Sequence, residues 1–240
     1  MTLQNKGAYM FDGKMKAVTF SYDDNTKQDY RLVEIFKKYG LKCTFNVNSG
    51  SLGQDGHLIR EGVRVDWTRI KPEEVKPLYQ GHEVAVHTLT HPNLKNCDDE
   101  TVFREVEEDR LRLSELVGYE VVGMAYPGGT GCFDERVVDI IRNKTGVKYA
   151  RTTTSTHNFN PQTNLLEFNP TVHHHTEWDK LFELGEKFVE LETDKPQIFY
   201  IWGHSFEFDI HDSWDKFEEI CKLISGRKDI FYGTNKEVLL

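Results

Sequence analysis

The chain has 240 residues, of which 38% are hydrophobic and 29% charged, and its formal net charge is -9 at pH 7. This length allows one domain with a full hydrophobic core, and the acidic balance is atypical of nucleic-acid-binding proteins, which usually present a basic face. No apolar run approaches the ~20 residues of a membrane-spanning helix, and residues 1–7 do not resemble a signal peptide. We therefore expect a soluble, cytoplasmic protein with neither nucleic-acid nor membrane partners.

Short apolar runs alternate with helical patterns along the chain. In chain order, these patterns predict a strand at residues 16–22, a helix at 28–39, a strand at 41–47, a long loop at 48–66, a short helix from Pro72, a strand at 82–86, a helix at 98–117, a strand at 120–125, a helix at 134–144 and a strand at 147–151. After an irregular segment at 152–175 follow a helix at 176–191, a strand at 196–202, a helix at 212–225, a strand at 230–232 and a final helical turn opened by Thr234.

This alternation predicts an α/β protein with a parallel sheet covered by helices, because the strands are short apolar runs rather than two-faced patterns. About seven strand–helix units are compatible with a barrel or with a doubly wound sheet. We find no repeat or linker, so the chain is expected to form a single domain. The irregular segment carries three consecutive histidines, 173–175, which we expect on a surface loop without a role. Two alternatives are that they line the mouth of the site or bind a metal fortuitously.

Reactive side chains stand at the ends of the predicted strands. They are Asp23, Asp24, His87, Tyr126, Arg151 and His204. In a parallel barrel the carboxyl ends of the strands form one rim where the chemistry collects, so we expect these side chains to share one site.

Two histidines four residues apart follow the strand at 82–86. His87 and His91 can bind one ion if the loop turns tightly, and Asp24 is the best candidate for a third ligand. Two histidines and a carboxylate leave the open position that a catalytic zinc site needs. Zinc is the first choice for this single divalent metal, although cobalt, manganese, nickel or iron also suit the donor set. Thr88 follows His87, so this is not the HExxH motif, and the general base must come from elsewhere.

Asp23 is placed to act as that base, taking a proton from a water molecule whose pKa the metal has lowered. His204 can protonate the leaving group, and the backbone N–H groups of Gly128 and Gly129 can stabilise an oxyanion, with Pro127 fixing the turn. Each feature alone also has a structural explanation, such as a capped strand-to-helix connection or an ordinary turn. Their joint occurrence at strand ends favours the functional interpretation.

The order of these residues resembles the motifs of the NodB-type polysaccharide deacetylases, also called carbohydrate esterase family 4, over residues 19–207. The first motif of that family, T-F-D-D-G, is similar to residues 19–25, where Asn25 replaces the glycine. The resemblance implies Asp23 as the catalytic base and Asp24 as a metal ligand.

The second and last motifs of the family are also recognisable. The motif H-[ST]-x-x-H matches the stretch from His87 to His91 fully, which implies that both histidines are metal ligands and that Thr88 braces their loop. The closing motif L-x-H resembles W-G-H, with Trp202 in place of the leucine, and implies His204 as the general acid.

The third motif departs from the family pattern. R-x-P-x-G reads A-Y-P-G-G here, so Ala125 replaces the arginine that orients the base, and Arg151 at the end of the next strand is a candidate substitute. The resemblance implies a substrate-binding and oxyanion-binding turn at Tyr126, Pro127 and Gly128. The fourth motif, an Asp–Trp pair, is not found.

The resemblance implies that residues 1–240 form a single NodB-like deacetylase domain with a distorted (β/α)7 barrel. It also implies a metal-dependent hydrolase of a carbon–nitrogen amide bond, in which metal-activated water attacks the carbonyl and removes acetyl groups from an N-acetylated or O-acetylated carbohydrate. In place of the missing fourth motif, Glu207 or Asp209 is the candidate to orient His204.

Two other functions remain open at this point. The apparent lack of a leader and the altered third motif also fit a deacylase or amidohydrolase of a small non-polymer amide, ester or ureide, with a closed pocket that residues 48–66 would cover. A catalytically silent glycan-binding barrel is the third possibility. The presence of three ligands, a base and an acid argues against it, because a pure binding module has no use for the full set.

Overall fold

The computed structural model describes residues 10–240, so the expectation for residues 1–7 lies outside the described part of the chain. The strands are β1 (Lys16–Asp23), β2 (Cys43–Val47), β3 (His57–Arg60), β4 (Val63–Asp66), β5 (Glu83–Val86), β6 (Gly123–Ala125), β7 (Tyr149–Arg151), β8 (Val172–His173), β9 (Gln197–His204) and β10 (Ile230–Tyr232). The α-helices are α1 (Asp29–Tyr39), α2 (Pro72–Leu78), α3 (Asp99–Phe103), α4 (Asp109–Val117), α5 (Glu135–Lys144), α6 (Trp178–Glu190), α7 (Trp214–Ile224) and α8 (Asn235–Leu239). A π-helical turn, Arg104–Glu108, joins α3 to α4.

One sheet of parallel strands forms the centre of the fold. Its order is β7-β6-β5-β2-β1-β9-β8, and β10 pairs with the first residues of β1. β1 is buried along its whole length, and its last residue, Asp23, lies opposite Asn46 of β2 and His204 of β9. The parallel half-barrel with its helical cover confirms the predicted α/β class and the distorted (β/α)7 barrel.

Amphipathic helices close the core around this sheet. In α1, Leu32, Ile35 and Phe36 face inward, and the helix ends at Gly40, whose φ of 65° is a left-handed conformation that glycine adopts without steric cost. Phe36 packs on Phe20 of β1, with ring centroids 4.8 Å apart. Among the described residues, no helix is both long and apolar enough to cross a membrane.

The segment predicted as a loop at residues 48–66 contains a β-hairpin. β3 and β4 pair antiparallel around a two-residue turn, in which Glu61 and Gly62 have φ values of 51° and 79°. Two-residue hairpin turns of this conformation usually carry Asn-Gly or Asp-Gly, so the Glu-Gly sequence predicted a hairpin only weakly. Val65 packs on Phe206 and Ile210, which places the hairpin over the chain that follows β9.

The expectation of a surface loop at the histidine triplet is wrong for its first two residues. His173 ends β8, which pairs with β9, and His174 is fully buried between the rings of Tyr22 and Phe208. Two residues are too short a strand for sequence periodicity to reveal, and histidine is not a typical core residue.

Candidate metal centre

The parallel strands bring the predicted site residues to one rim. Asp23 ends β1 and His204 ends β9, and these two residues are register partners. His87 directly follows β5, and Arg151 ends β7. Residues far apart in the sequence therefore meet because parallel strands present their carboxyl ends at the same edge.

Three side chains converge there as a candidate ligand set. Asp24, His87 and His91 offer ligand atoms that all lie within 4.8 Å of one another. Asp24 Oδ1 is 3.9 Å from His87 Nε2 and 4.0 Å from His91 Nε2, and this buried oxygen has no hydrogen-bond partner among the described residues. His91 is exposed, so the group is open to solvent on one side. A buried carboxylate oxygen that makes no hydrogen bond and faces two imidazoles fits a divalent cation.

His87 is held in the state that a metal ligand needs. Its Nδ1–H donates to the carbonyl oxygen of Ala125 at 2.9 Å, which directs the lone pair of Nε2 toward Asp24. Burial lowers the pKa of His87 to about 4, although the nearby Asp23 opposes that shift, so the ring is neutral at pH 7.

The histidine loop has a strained backbone. Thr88 and His91 adopt φ values of 67° and 60°, in the left-handed region. A β-branched residue such as Thr88 rarely enters that region. Thr88 Oγ1 accepts a hydrogen bond from the His91 backbone N–H at 3.1 Å, and Asn48 Nδ2 donates to the carbonyl oxygen of Thr88 at 2.9 Å. These bonds keep the loop in a conformation that local preference disfavours.

Two buried carboxylates from the neighbouring helix also hold this loop. Asp109 of α4 accepts from the His87 backbone N–H at 3.2 Å, and Glu105 accepts from the backbone N–H and hydroxyl of Thr90 at 2.9 and 3.0 Å. Glu105 lies on the π-helical turn, a feature often found at functional sites. Neither residue was predicted from the sequence. The sequence pattern that could have indicated them is the position of Glu105 and Asp109 on the same helix face as the buried Val102.

Asp23 lies beside the ligand set in a cationic environment. It forms an ion pair with Arg151, accepts from Asn46 Nδ2 at 2.7 Å and lies 3.9 Å from Nε2 of both His87 and His204. Burial alone would raise the pKa of Asp23, but Arg151, and after it the two histidines, lower it below its ordinary value. Asp23 is therefore an ionised carboxylate.

Arg151, the candidate substitute for the third-motif arginine, pairs with Asp23 from the end of β7. It is fully buried, and its backbone pairs in register with Ala125 on the neighbouring strand β6. Its Nε–H donates to Ser21 Oγ at 3.1 Å, and its guanidinium lies 4.3 Å from the ring centroid of Trp202. The guanidinium is thus fixed against Asp23 from β7, the strand next to the one that carries Ala125.

His204 faces Asp23 from the neighbouring strand β9, and the Glu207 carboxylate holds it in place. Glu207 Oε1 is 3.2 Å from His204 Nδ1, and its other oxygen accepts from the His204 backbone N–H at 2.9 Å. Burial lowers the pKa of His204, but Glu207 and then the acidic pair at the end of β1 outweigh burial and raise it to about 9. The alternative partner, Asp209, instead accepts from Trp214 Nε1 at 2.8 Å.

The Tyr126-Pro127-Gly128 turn follows β6 at the same rim. The Tyr126 side chain is buried and stacks on Phe133. Its hydroxyl donates a hydrogen bond to the carbonyl oxygen of Leu166, and its backbone N–H donates to the carbonyl oxygen of Arg151. The Tyr126 side chain therefore anchors the turn. Gly128, by contrast, is exposed and adopts a φ of 70°.

Two further residues contact the acidic pair. Asn46 lies near the end of β2 next to Asp23, and the strand-end rule used for the other residues could have identified it. Arg69 donates to the carbonyl oxygen of Asp24, lies 3.6 Å from Asp24 Oδ1 and stacks on Trp67 at 3.7 Å. Arg69 reaches the site from the loop before α2, and no local sequence pattern indicates it.

The chain is similar in sequence to known polysaccharide deacetylases. The family model of the polysaccharide deacetylases matches residues 12–150, and the chain belongs to that family. The chitooligosaccharide deacetylase of Rhizobium leguminosarum bv. trifolii is 30% identical over 91 residues, which cover 38% of this chain and 35% of that protein. The match therefore spans only about a third of the length of that curated relative.

Two solved structures share the fold over nearly the whole chain. A Mycobacterium smegmatis protein assigned to the polysaccharide deacetylases has a TM-score of 0.68 at 15% identity, covering 95% of this chain and 90% of its own. A family 4 carbohydrate esterase from Streptomyces lividans, solved in complex with acetate, has a TM-score of 0.59 at 15% identity, covering 92% of each chain. At these identities the likeness shows a common fold.

Proposed function

We propose that residues 1–240 form one deacetylase domain, a metal-dependent hydrolase that removes acetyl groups from an N-acetylated or O-acetylated carbohydrate. The observation that carries the proposal is the grouping of Asp24, His87 and His91 around a buried carboxylate oxygen without a hydrogen-bond partner, flanked by Asp23 and His204. Family membership supports the same chemistry.

Asp24, His87 and His91 are the proposed ligands of one divalent cation. A bound ion would supply a water molecule of lowered pKa and would polarise the acetyl carbonyl. Zinc is the first choice for two imidazoles and a carboxylate, and cobalt, manganese, nickel or iron also accept these donors. Thr88 contributes by fixing the backbone between the two histidines.

Asp23 is the proposed general base. Its lowered pKa keeps the carboxylate ionised, so that it can accept the proton of the water that attacks the acetyl carbonyl. Arg151 positions this carboxylate from one side, and Trp202 holds the Arg151 guanidinium in place. We assign Arg151 the orienting role that the family arginine would otherwise fill.

His204 is the proposed general acid, and Glu207 its positioning residue. The Glu207 carboxylate favours the protonated imidazole, which can donate a proton to the departing amine or alcohol. On the other side of the rim, we propose that the Gly128 backbone N–H donates to the oxyanion, with Pro127 fixing its turn.

The test combines metal analysis with an activity assay. We expect the His87→Ala/His91→Ala variant to bind one equivalent of metal less than the wild-type protein and to release no acetate from chitooligosaccharides. His57→Ala, which removes an exposed histidine outside the centre, serves as the control and should behave as wild type.

Two outcomes would contradict parts of the proposal. Equal metal content in the wild-type and double-variant proteins would overturn the assigned ligand set. Metal bound by wild type alone, without acetate release, would keep the centre but contradict chitooligosaccharides as the substrate. The assay would then turn to O-acetylated carbohydrates and to small acylated amides and esters.

A further inference from the structure

A second group of potential metal ligands lies outside the candidate metal centre. Glu61, His175 and His211 offer ligand atoms that all lie within 4.8 Å of one another. Glu61 Oε1 is 3.0 Å from His175 Nε2, and Glu61 Oε2 is 2.8 Å from His211 Nε2. Three segments distant in sequence therefore direct their polar atoms at one point.

The location of this group connects the hairpin to the rim. Glu61 is at the tip of the hairpin, and its two histidine partners follow β8 and β9. The body of the hairpin packs through Val65 on Phe206 and Ile210, and the Phe206 ring lies 5.1 Å from the ring of His204. A ligand bound by the group would join the free end of the hairpin to the chain beside His204.

The two histidines present their rings side by side to the one carboxylate. The rings of His175 and His211 are nearly parallel, with an interplanar angle of 9° and centroids 5.8 Å apart, and both Nε2 atoms lie against the Glu61 carboxylate. An imidazole binds a metal ion through one ring nitrogen. His175 Nδ1 is buried without a hydrogen-bond partner among the described residues, which leaves Nε2 as the atom through which this ring can bind.

The backbone at Glu61 is a further sign that this side chain is needed. Its φ of 51° is left-handed, a conformation in which glycine, asparagine or aspartate is usual in a two-residue hairpin turn. A glutamate there is strained, and strained residues concentrate at ligand-binding positions.

We propose that Glu61, His175 and His211 bind a second divalent cation of the zinc type, which fastens the β3–β4 hairpin to the rim beside His204. Two imidazoles and a carboxylate are a zinc donor set, with ligand distances of about 2.1 Å. Glu61 and His211 are exposed, so small side-chain rotations would bring the atoms to these distances. The cation neutralises the carboxylate and uses both imidazoles as neutral donors.

The test counts bound zinc. Each protein is stripped with a chelator and then dialysed against Zn²⁺ alone. We expect two zinc ions in wild type, one in His211→Ala, one in His87→Ala/His91→Ala, and none in the variant that combines all three substitutions. His157→Ala is the matched control, because it removes another exposed histidine that is paired with a glutamate, Glu177, and it should keep two ions.

A second readout does not depend on activity or on the first centre. In the His87→Ala/His91→Ala background, Zn²⁺ should raise Tm and slow amide hydrogen exchange at residues 57–66, and adding Glu61→Gln should abolish both effects. An unchanged zinc count in His211→Ala, or no zinc in His87→Ala/His91→Ala, would overturn this proposal. If only the proposed Asp24–His87–His91 centre is wrong, the wild-type protein binds a single zinc ion. His87→Ala/His91→Ala then keeps this ion, and His211→Ala loses it.

Discussion

Neighbouring carboxylates at the end of β1 have different surroundings and therefore different proposed roles. Asp24 Oδ1 faces His87 and His91 without a hydrogen-bond partner among the described residues. Asp23 instead accepts hydrogen bonds from Arg151 and Asn46. The chain places the two side chains around one point because the strand ends there and Asp24 turns to a φ of 80°.

Asp23→Asn tests this division of roles. We expect turnover to fall by about 10²–10⁴-fold, because the amide cannot accept the proton, while metal content stays at the wild-type value. Acetate release and elemental analysis on the same preparation measure both quantities. Loss of metal together with activity would assign Asp23 to the ligand set instead.

Arg151→Ala should shift the pH profile as well as the rate. The guanidinium holds the pKa of Asp23 down, so its removal should raise that pKa and move the acidic limb of kcat/KM to higher pH. The variant also leaves a buried carboxylate without its main partner, which costs about 3–5 kcal/mol of stability. A lower Tm with an unmoved pH profile would indicate a purely structural arginine.

Glu207→Gln should move the opposite limb. Glu207 raises the pKa of His204, and a general acid works only while protonated, so its activity is lost as the pH rises through that pKa. Without the carboxylate, the alkaline limb of kcat/KM should shift to lower pH. The same alkaline limb in both proteins would exclude Glu207 as the residue that tunes His204.

Among the elements, the π-helical turn between α3 and α4 affects the site most directly. It brings Glu105 against the histidine loop, where its carboxylate accepts two hydrogen bonds from Thr90 and its backbone carbonyl accepts one from Leu89. A regular helix would leave that carbonyl bonded within the helix. The irregular turn is thus part of what fixes the position of His91.

Glu105→Ala should weaken metal binding by about 10–100-fold, as is usual when a residue that orients a ligand is removed. Glu108→Ala, on the same turn but in an exposed ion pair with Arg112, is the matched control and should leave the affinity unchanged. Titration of the stripped proteins with the metal compares the two. Equal affinities would show that the loop holds its conformation without Glu105.

For the whole molecule, buried carboxyl groups make stability dependent on pH. Burial raises the pKa of Asp29 from 3.8 to about 7, although hydrogen bonds from Ser205 and Tyr79 oppose this shift. Between pH 3.8 and about pH 7, Asp29 loses its proton in the unfolded chain but keeps it in the folded chain. The contribution of Asp29 to stability is therefore full below about pH 4 and is lost as the pH rises through 7.

Asp29→Asn should remove that dependence. Relative to wild type, the free energy of unfolding of the variant should increase steadily from pH 4 to pH 8, and urea denaturation at a series of pH values measures it. A constant difference between the two proteins across this range would mean that Asp29 does not titrate as burial predicts.

The sequence predicted much of the fold and most of the rim, because both depend on local patterns. Apolar periodicity locates strands, and a reactive residue at a strand end is visible in the chain itself, as His87 and Arg151 are. Asp109 and Arg69 were missed because their partners are distant in sequence, and the hairpin around Glu61 was missed because its strands are short and its turn sequence is unusual.

The pairing of Ala125 with Arg151 bears on how such families are surveyed. The two residues are register partners on β6 and β7, one strand spacing of about 4.8 Å apart. If Arg151 orients the base as proposed, a signature written in residue order records a lost arginine although Asp23 still pairs with a guanidinium. Chains with a broken third motif can then be sorted by the residue that ends their next strand, which separates those that carry an arginine there from those that do not.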